Sequence, residues 1–195
     1  MNGQHQQSSD AALMTRTASG DEEAFRMLVE RHHAAIYRLA FRHLGSAADA
    51  EDIVQDTFRR LFESSSRYRP DASFRTYLLT IAARLCLNRK RKGSASQTDL
   101  VVPGDLDSLP ASTGLSPDAA LARKERAAEI RRALAEMPAD QRLALLLLRY
   151  EEASCEEIAR ILNRSIEAVH SLLYRARNRL AQLLEKTGPS REEEP

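Results

Sequence analysis

The chain has 195 residues, of which 43% are hydrophobic and 29% charged, and its formal net charge at pH 7 is only +1. This length suits one domain or two small ones, and the balance of apolar and charged residues excludes a mainly disordered chain. Aromatic residues make up only 5% and Trp is absent. Leu, Ala, Arg and Glu, which lose little side-chain freedom in a helix, are plentiful, so we expect an all-α fold.

Residues 1–9 are polar and predict a disordered tail without a secretory signal segment. No stretch reaches the ~18 consecutive apolar residues that a membrane span needs. Cys86 and Cys155 lie far apart, and neither has a second Cys or His at metal-ligand spacing. These observations predict a cytoplasmic protein with two reduced thiols and with no metal or other cofactor.

Apolar residues recur at helical spacing from Asp21 onward. Gly45 followed by Ser46 predicts the end of this helix and the N-cap of the next one. The second helix turns Val54 and Phe58 inward, because they share one face at a spacing of four residues. Its other faces carry an acidic row with one amide: Asp49, Glu51, Asp52, Gln55 and Asp56.

The acidic row has three interpretations. Such a run on a helix is usually a solvated face. A metal site is the second, although no loop with fixed Asp and Gly positions surrounds the carboxylates. The third is a docking face for a basic partner, which complementary electrostatic potentials would steer into place.

Residues 63–73 form a loop by composition, and Ser73 is placed to cap the helix that follows. That helix, "FRTYLLTIAARLCLNRKRK" (74–92), is apolar for most of its length and ends in four cations. Cations offset the negative end of a helix macrodipole by ~0.3–1 kcal/mol each, but four in succession exceed that need. Rings and guanidinium groups alternate around the loop, a pattern that suits unpaired bases. We expect Tyr68 to be an accessible stacking platform and Phe74 to lie in the core.

Composition changes after Lys92, because 93–116 collects Ser, Gly, Pro and Asp without a helical period. A segment of this length is too long for a loop inside one compact domain and predicts a flexible linker. Helix resumes at Ser116, an N-cap followed by Pro117 at the first helical position. We therefore predict a tail over 1–9, a helical domain over 10–92, a linker over 93–116, a helical domain over 117–186 and an acidic tail over 187–195.

The segment 154–184 carries the sharpest local pattern. Ser154 and Glu157 predict a capping box on a short helix, Asn163 predicts its left-handed C-cap, and Ser165 predicts the N-cap of a longer helix. One face of the longer helix is apolar: Ile166, Val169, Leu173, Ala176 and Leu180. The opposite face is polar and cationic: Glu167, His170, Ser171, Tyr174, Arg175 and Asn178. This arrangement can place the second helix in the major groove of DNA, and it also fits an ordinary helical hairpin with a solvated face.

Three segments, taken in order, resemble the extracytoplasmic-function (ECF) group of the sigma-70 family, the bacterial RNA polymerase initiation factors. Residues 20–63 are similar to the family's polymerase-core-binding segment, and "YRPDASFRTYLLTIAARLCLNRKRK" (68–92) is similar to its promoter-melting segment. Residues 134–180 are similar to the segment that reads the upstream promoter element. The resemblance implies two small helical domains joined by a linker, one a sigma region 2-like bundle and the other a region 4-like helix-turn-helix.

The resemblance also implies roles for individual residues. Core polymerase would be bound by Asp52, Gln55, Asp56 and Phe58. The minus-ten promoter element would be held by Tyr68, Arg69, Arg84, Asn88, Arg89, Lys90, Arg91 and Lys92. The minus-thirty-five element would be read by Ser165, Glu167, His170, Ser171, Tyr174 and Arg175. Three positions depart from the family pattern, namely Arg84, His170 and Leu172.

The implied function is that of a sigma factor, which binds core RNA polymerase, directs it to promoters and initiates transcription without enzyme activity of its own. Its partners would be core polymerase, promoter DNA and a cognate anti-sigma factor. The net charge of only +1 predicts weak DNA binding by the free chain, since affinity grows with the number of phosphates neutralised. The alternative is a stand-alone helix-turn-helix regulator that uses only 117–186 and binds its operator without polymerase.

Overall fold

The computed structural model describes residues 9–69, 72–92 and 117–187. Within these ranges the chain forms α-helices and one short 3-10 turn, Ser65–Arg67, and contains no strand, in agreement with the predicted all-α class. The helices are α1 Asp10–Ala18, α2 Glu22–Leu44, α3 Ala47–Glu63, α4 Phe74–Lys92, α5 Pro117–Glu136, α6 Ala139–Tyr150, α7 Cys155–Leu162 and α8 Ile166–Thr187.

Local hydrogen bonds fix the helix ends that the sequence predicted. Gly45 ends α2 in the left-handed conformation (φ 77°, ψ 5°), which glycine adopts at little cost. The Ser46 hydroxyl accepts the N–H of Asp49 at 3.2 Å and begins α3. The Ser73 hydroxyl accepts the N–H of Thr76 at 3.1 Å and begins α4. Each serine cap satisfies a backbone N–H that has no partner inside the helix.

The short helix α1 precedes the first helix that the sequence pattern indicated. The Ser9 hydroxyl accepts a backbone N–H of its first turn at 3.2 Å, and Leu13 is fully buried. Asp10 contacts Arg31 and His32 of α2, each at 2.9 Å. These contacts hold α1 against α2. We call α1 to α4 the first helical group and α5 to α8 the second.

Helix α4 is buried on most of its circumference and contacts α2, α3, α6 and α7. A helix that is apolar all round is expected to be enclosed by other elements, and α4 fits that rule. Its buried apolar residues are Phe74, Leu78, Leu79, Ala82, Ala83, Leu85 and Cys86, and Thr76 is buried as well.

The helices on the two sides of the predicted linker share one apolar core. A continuous cluster of buried residues contains Leu28 of α2, Leu78 of α4, Leu147 of α6 and Val169 of α8. The sequence predicted two helical groups but not this contact between them. Independent folding of 10–92 and 117–186 stays a prediction. The predicted linker, 93–116, and the predicted tails apart from residues 9 and 187 lie outside the described residues.

Both cysteines are free thiols, as predicted. Cys86 is fully buried, and burial raises the pKa of its thiol to about 12. Among the residues that the structure describes, no helix is both long and apolar enough to cross a bilayer. In the same ranges, no three His, Cys, Asp or Glu side chains come together in a group that could hold a metal ion.

Candidate nucleic-acid interface

A tight turn joins α7 to α8 and is fixed by hydrogen bonds at both ends. Ser154 and Glu157 form the predicted capping box, in which the Ser154 Oγ accepts the Glu157 N–H at 3.2 Å and the Glu157 carboxylate accepts the Ser154 N–H at 2.9 Å. Asn163 takes the predicted left-handed conformation (φ 51°, ψ 54°). Arg164 then donates to the carboxylate of Asp140 in α6 at 3.0 Å. The turn is therefore anchored to the rest of the second helical group.

The outer face of α8 meets solvent along its first three turns. The Ser165 hydroxyl accepts the N–H of Ala168 at 3.2 Å and caps the helix, as predicted. Tyr174 is 67% exposed, which is unusual for so large a ring. The residues predicted to read the minus-thirty-five element are all exposed: Ser165, Glu167, His170, Ser171, Tyr174 and Arg175.

The inner face of α8 packs on α6 and α7. Val169, Leu173 and Ala176 are buried, as the apolar stripe predicted. Ile166 is 40% exposed, so the prediction that it is buried is wrong; it is the first residue of the helix, at the turn rather than over the core. Leu172 is buried and therefore belongs to the scaffold of the helix rather than to its outer face.

The outer face carries both signs of charge. Backbone and Ser165 hydrogen bonds hold the pKa of Glu167 below its usual range, so its carboxylate is ionised in the first turn of α8. One turn later come His170 and Ser171, and four residues after Ser171 the exposed Arg175 donates to the Ser171 carbonyl at 3.3 Å. Residues three and four apart lie on one helix face. This row can therefore meet a series of base edges or phosphates along one groove.

Tyr68 lies in an aromatic cluster at the start of the predicted melting segment. Its ring centroid is 5.2 Å from that of Tyr77 and 6.2 Å from that of Phe74, both at edge-to-face angles. Burial raises the pKa of the Tyr68 phenol, and its hydroxyl has no hydrogen-bond partner within the described residues. The structure thus differs from the expected open platform, because the ring is half-buried. Phe74 lies in the core, as predicted.

Three of the other residues predicted to hold the minus-ten strand are exposed, namely Arg69, Arg84 and Asn88. Arg84 and Asn88 are four residues apart and share one face of α4. The helical backbone of α4 continues through this basic run to Lys92. The side chains of the remaining predicted cations lie outside the described residues: Lys90, Arg91 and Lys92.

Arg89, near the end of α4, is paired with the start of α3. Its Nη2 lies 2.6 Å from the carboxylates of both Asp49 and Asp52, and its Nε lies 2.9 Å from Asp49. These hydrogen bonds, that of Asp52 first, raise the pKa of Arg89. A predicted DNA-binding cation and a predicted polymerase-binding carboxylate are therefore in direct contact.

The predicted polymerase-binding residues of α3 divide into surface and core. Gln55 is exposed, and Asp56 accepts from Arg59 on the same helix at 2.7 Å. Phe58 is only 6% exposed and packs edge-to-face on Phe25, with ring centroids 6.5 Å apart. Phe58 is therefore inward, as its helical spacing predicted. The prediction that it is a contact residue on the docking surface is corrected, because its ring fills the core beneath that surface.

The sequence pattern missed the polar residues that join the two helical groups. Arg142 of α6 is only 3% exposed, and Arg75 of α4 pairs with Glu151, which follows α6. Arg142 stands four residues before the buried Leu146. That spacing puts it on the inner face of α6 and is the signal that could have identified it as a buried cation.

Two protein families match this chain, one in its N-terminal half and one in its C-terminal half. The family described as sigma-70 region 2 matches residues 28–96, and the family described as sigma-70, region 4 matches residues 127–180. The first match contains α3 and α4 with their acidic and basic residues. The second contains α7 and the part of α8 up to residue 180, which includes the exposed row.

Curated relatives match over nearly their whole length. The ECF RNA polymerase sigma factor SigM of Mycobacterium tuberculosis is 33% identical over 182 residues, covering 93% of this chain and 87% of the relative. The RNA polymerase sigma-H factor of Pseudomonas aeruginosa is 29% identical over 184 residues, covering 92% of this chain and 95% of the relative.

Solved structures show the same fold. CnrH in complex with the cytosolic domain of CnrY superposes with a TM-score of 0.68 at 25% identity, covering 93% of this chain and all of the other. The sigma factor RpoE of Bartonella quintana, in complex with the anti-sigma factor NepR, gives 0.59 at 26% identity over 83% of this chain and 96% of the other. With two region matches in order and a full-length relative above 30% identity, the chain belongs to the extracytoplasmic-function group of the sigma-70 family of bacterial RNA polymerase sigma factors.

Proposed function

We propose that the chain is a dissociable transcription initiation factor that binds core RNA polymerase and brings it to promoters. It reads the minus-thirty-five element as duplex DNA through α8 and holds the unpaired minus-ten strand with residues 68–92. The observation that carries this proposal is the exposed polar row on α8, presented by a capped helix-turn-helix.

In this proposal, residues in the first turns of α8 read the duplex. A recognition helix enters the major groove with its N-terminal residues against the base edges. Arg175 is suited to a guanine or a phosphate, and Ser165 and Ser171 offer hydroxyl groups that either donate or accept. Glu167 can accept from a cytosine amino group. Because these side chains are already exposed, binding requires no opening of the helix-turn-helix.

Strand capture falls to the aromatic cluster and the outer face of α4. Flipping a base out of the duplex costs a few kcal/mol in lost stacking and pairing. Arg69, Arg84 and Asn88 are exposed and can hold the phosphates and bases of the opened strand. Stacking a base on Tyr68 requires its ring to move away from Tyr77, with which it packs in the free chain.

Polymerase docking falls to the acidic side of α3. Asp52, Gln55 and Asp56 are the surface residues of this proposed site, and Phe58 supports their helix from the core. Complementary charge would steer this face onto a basic surface of core polymerase. The chain supplies no catalytic residue in this scheme, since the bond-forming chemistry of transcription belongs to the polymerase. It would act in the cytoplasm, where its promoter DNA and polymerase are found.

An anti-sigma factor is the further partner that we propose. Support comes from the two solved relatives, one in complex with the cytosolic domain of CnrY and the other with the anti-sigma factor NepR. Affinity purification of the tagged chain from unstressed cells, followed by mass spectrometry, should recover one stoichiometric protein other than polymerase. Recovery of polymerase alone would contradict this part of the proposal.

Run-off transcription with purified core polymerase tests the proposed function. A library of genomic fragments is transcribed with and without the chain, and transcripts that depend on it are mapped. We expect a small set of start sites that share two upstream elements. Absence of dependent transcripts, combined with absence of binding to core polymerase, would overturn the proposal. Tight operator binding without polymerase in a gel shift would favour the stand-alone regulator instead.

A further inference from the structure

A groove of about 510 Å³, open to solvent, lies between α2, the start of α4 and the turn that follows α6. This volume is within the range of about 300–1,000 Å³ that is usual for small-molecule sites. The contacts proposed above for DNA and polymerase do not use this groove. The residues that line it are Ala35, Arg38, Arg75, Tyr150, Glu151 and Glu152.

The α2 side of the groove carries an available cation. Arg38 is exposed, and within the described ranges it makes no hydrogen bond or ion pair; its charge acts on Glu151 only through space. Ala35, one turn earlier, is small and leaves room beside the guanidinium. A guanidinium presents its N–H donors in a flat fork that matches the oxygens of a phosphate. Arg38 can therefore hold a phosphate group.

Arg75 offers further donors to the same groove. Its side chain is 43% exposed. Its two hydrogen bonds, to the Glu151 carboxylate at 2.7 Å and to the Glu151 carbonyl at 2.5 Å, both come from Nη2. In the part of the chain that the structure describes, its Nε and Nη1 are not engaged. Arg75 is also the second residue of α4, where the positive end of the helix dipole favours anions. A polyanion held by Arg38 can thus gain a second contact.

Tyr150 gives the groove an aromatic platform. Its ring is 45% exposed, and the guanidinium carbon of Arg42 lies 4.0 Å from the ring centroid. This cation–π contact orients the ring and covers one of its faces. The other face is then the one that a ligand can reach. Flat bases stack on exposed aromatic faces of this kind.

Glu152 places an acceptor at the rim of the groove. It takes a left-handed conformation (φ 49°), which is unfavourable for a residue other than glycine and is often found at ligand sites. Of the two adjacent carboxylates, that of Glu151 is buried and that of Glu152 is exposed. An exposed carboxylate beside an aromatic platform can accept hydrogen bonds from ribose hydroxyls, as the acidic residue of dinucleotide-binding folds does.

We propose that this groove is a binding site for a nucleotide, specifically a nucleoside di- or triphosphate. Arg38 and Arg75 bind its phosphates and Tyr150 stacks on its base. Glu152 accepts from its ribose hydroxyls. A bare anion would use the two arginines alone, whereas a nucleotide uses the cations, the ring and the carboxylate together. The site does not depend on the proposed function, since it lies outside the surfaces assigned to promoter and polymerase.

Equilibrium dialysis of the full chain with labelled ATP and GTP tests the site without DNA or polymerase. The wild type should bind with a Kd below about 1 mM. Arg38→Ala should weaken binding at least about 10-fold, because charge-assisted hydrogen bonds are lost. Arg132→Ala, which removes an exposed cation from α5, is the matched control and should bind like the wild type. Far-UV circular dichroism should show the same helix content in all variants.

Two further variants test the contacts with base and ribose. Tyr150→Leu should weaken nucleotide binding about 5- to 50-fold and leave binding of inorganic tripolyphosphate unchanged. Glu152→Gly removes the carboxylate without strain, since glycine adopts positive φ freely. The wild type should prefer ATP to 2′-deoxy-ATP, and this variant should lose the preference.

Four results would overturn the proposal. The first is absence of nucleotide binding at about 1 mM, and the second is equal binding by R38A and R132A. The third is tripolyphosphate binding to the wild type as tightly as ATP, because the groove would then recognise only charge. The fourth is binding of a short oligothymidine but not of free nucleotides, because the occupant would then be a nucleic-acid strand.

Discussion

The two candidate DNA-binding regions differ in the free chain: one is exposed, and in the other key side chains are packed or paired within the chain. The outer face of α8 is exposed, and the turn before it is fixed by the Ser154 capping box and the Asn163 C-cap. In the melting segment, Tyr68 packs into an aromatic cluster and Arg89 pairs with α3. The proposed duplex-reading face is therefore preformed, whereas the proposed strand capture would require bonds and packing within the chain to be exchanged for contacts with DNA.

This difference fits what each region is proposed to bind. The major groove has a regular shape, so a rigid helix can be complementary to it in advance. An unpaired strand exists only after melting, and exposed rings and free cations would bind other nucleic acids in the meantime. The pairs of Arg89 with Asp49 and Asp52 are 2.6 Å long yet partly exposed. Such pairs contribute about 0–1 kcal/mol each, so incoming phosphates can replace them.

Removal of the basic end of α4 should cause the largest effect. Substitution of Arg89, Lys90, Arg91 and Lys92 together by Gln should abolish open-complex formation, because the unpaired strand loses its cations, and should leave binding to core polymerase intact. Permanganate footprinting measures promoter opening, and co-elution with core polymerase measures docking. Loss of helical circular dichroism in this variant would show instead that the cations serve to stabilise α4.

The recognition face offers the next largest effect. Arg175→Ala should weaken binding of the holoenzyme to the upstream element by about 1–3 kcal/mol if the guanidinium reads a base. Fluorescence anisotropy with specific and unrelated duplexes measures the difference. Arg132→Ala, at an exposed position on α5, is the matched control and should bind like the wild type. Equal loss on both duplexes would make Arg175 a phosphate contact without sequence preference.

The stability of the fold should depend on pH through His43, which lies where the two helical groups meet. Burial lowers the pKa of this imidazole to about 3, and Arg142 nearby adds to the effect. Because the unfolded chain binds a proton near pH 6.5 and the folded chain does not, stability is complete above that pH and falls as the solution becomes more acidic. The slope should approach about 1.4 kcal/mol per pH unit below pH 6. Denaturant unfolding at pH 7, 6 and 5 measures this slope.

The control for this pH effect is His43→Leu. Neither ring nitrogen of His43 has a hydrogen-bond partner within the described residues, so an apolar side chain should be tolerated. The variant should lose the part of the pH dependence that the wild type shows between pH 6.5 and 5. An identical slope in both proteins would assign the pH dependence to other groups.

The smallest effect should come from releasing Arg89. Asp49→Asn removes one carboxylate from the pair without touching the proposed docking residues, and should raise the affinity of the free chain for single-stranded DNA about 2- to 5-fold. Glu63→Gln makes the same change of charge at the other end of α3, where Glu63 pairs with Arg59, and should change this affinity less. Equal increases in both variants would indicate a general effect of net charge.

Features set by local hydrogen bonds could be predicted from the sequence. The Ser154 capping box, the left-handed Asn163 and the Gly45 end of α2 need only neighbouring residues, and the structure contains all three. The inner face of α8 was predicted through Val169 and Leu173, because a period of 3.6 residues marks the side that is packed.

Features set by tertiary packing could not be predicted in the same way. Tyr68 was expected to be accessible, but Tyr77 and Phe74 surround its ring, and the spacing of these residues does not determine their contact. The sequence does contain signs of the contact between the helical groups. Helix α4 is apolar around most of its circumference, which the first group alone does not explain. The cation of Arg142 on the inner face of α6 is the second such sign.

Binding of free chain and holoenzyme to two separate probes tests the central claim most directly. One probe is a duplex with the upstream element, the other a single strand with the minus-ten element, both taken from a promoter mapped by run-off transcription. We predict that core polymerase strengthens binding to the single strand far more than binding to the duplex, because the first site must be released and the second is preformed. Equal strengthening of both probes, or tight single-strand binding by the free chain, would contradict this account.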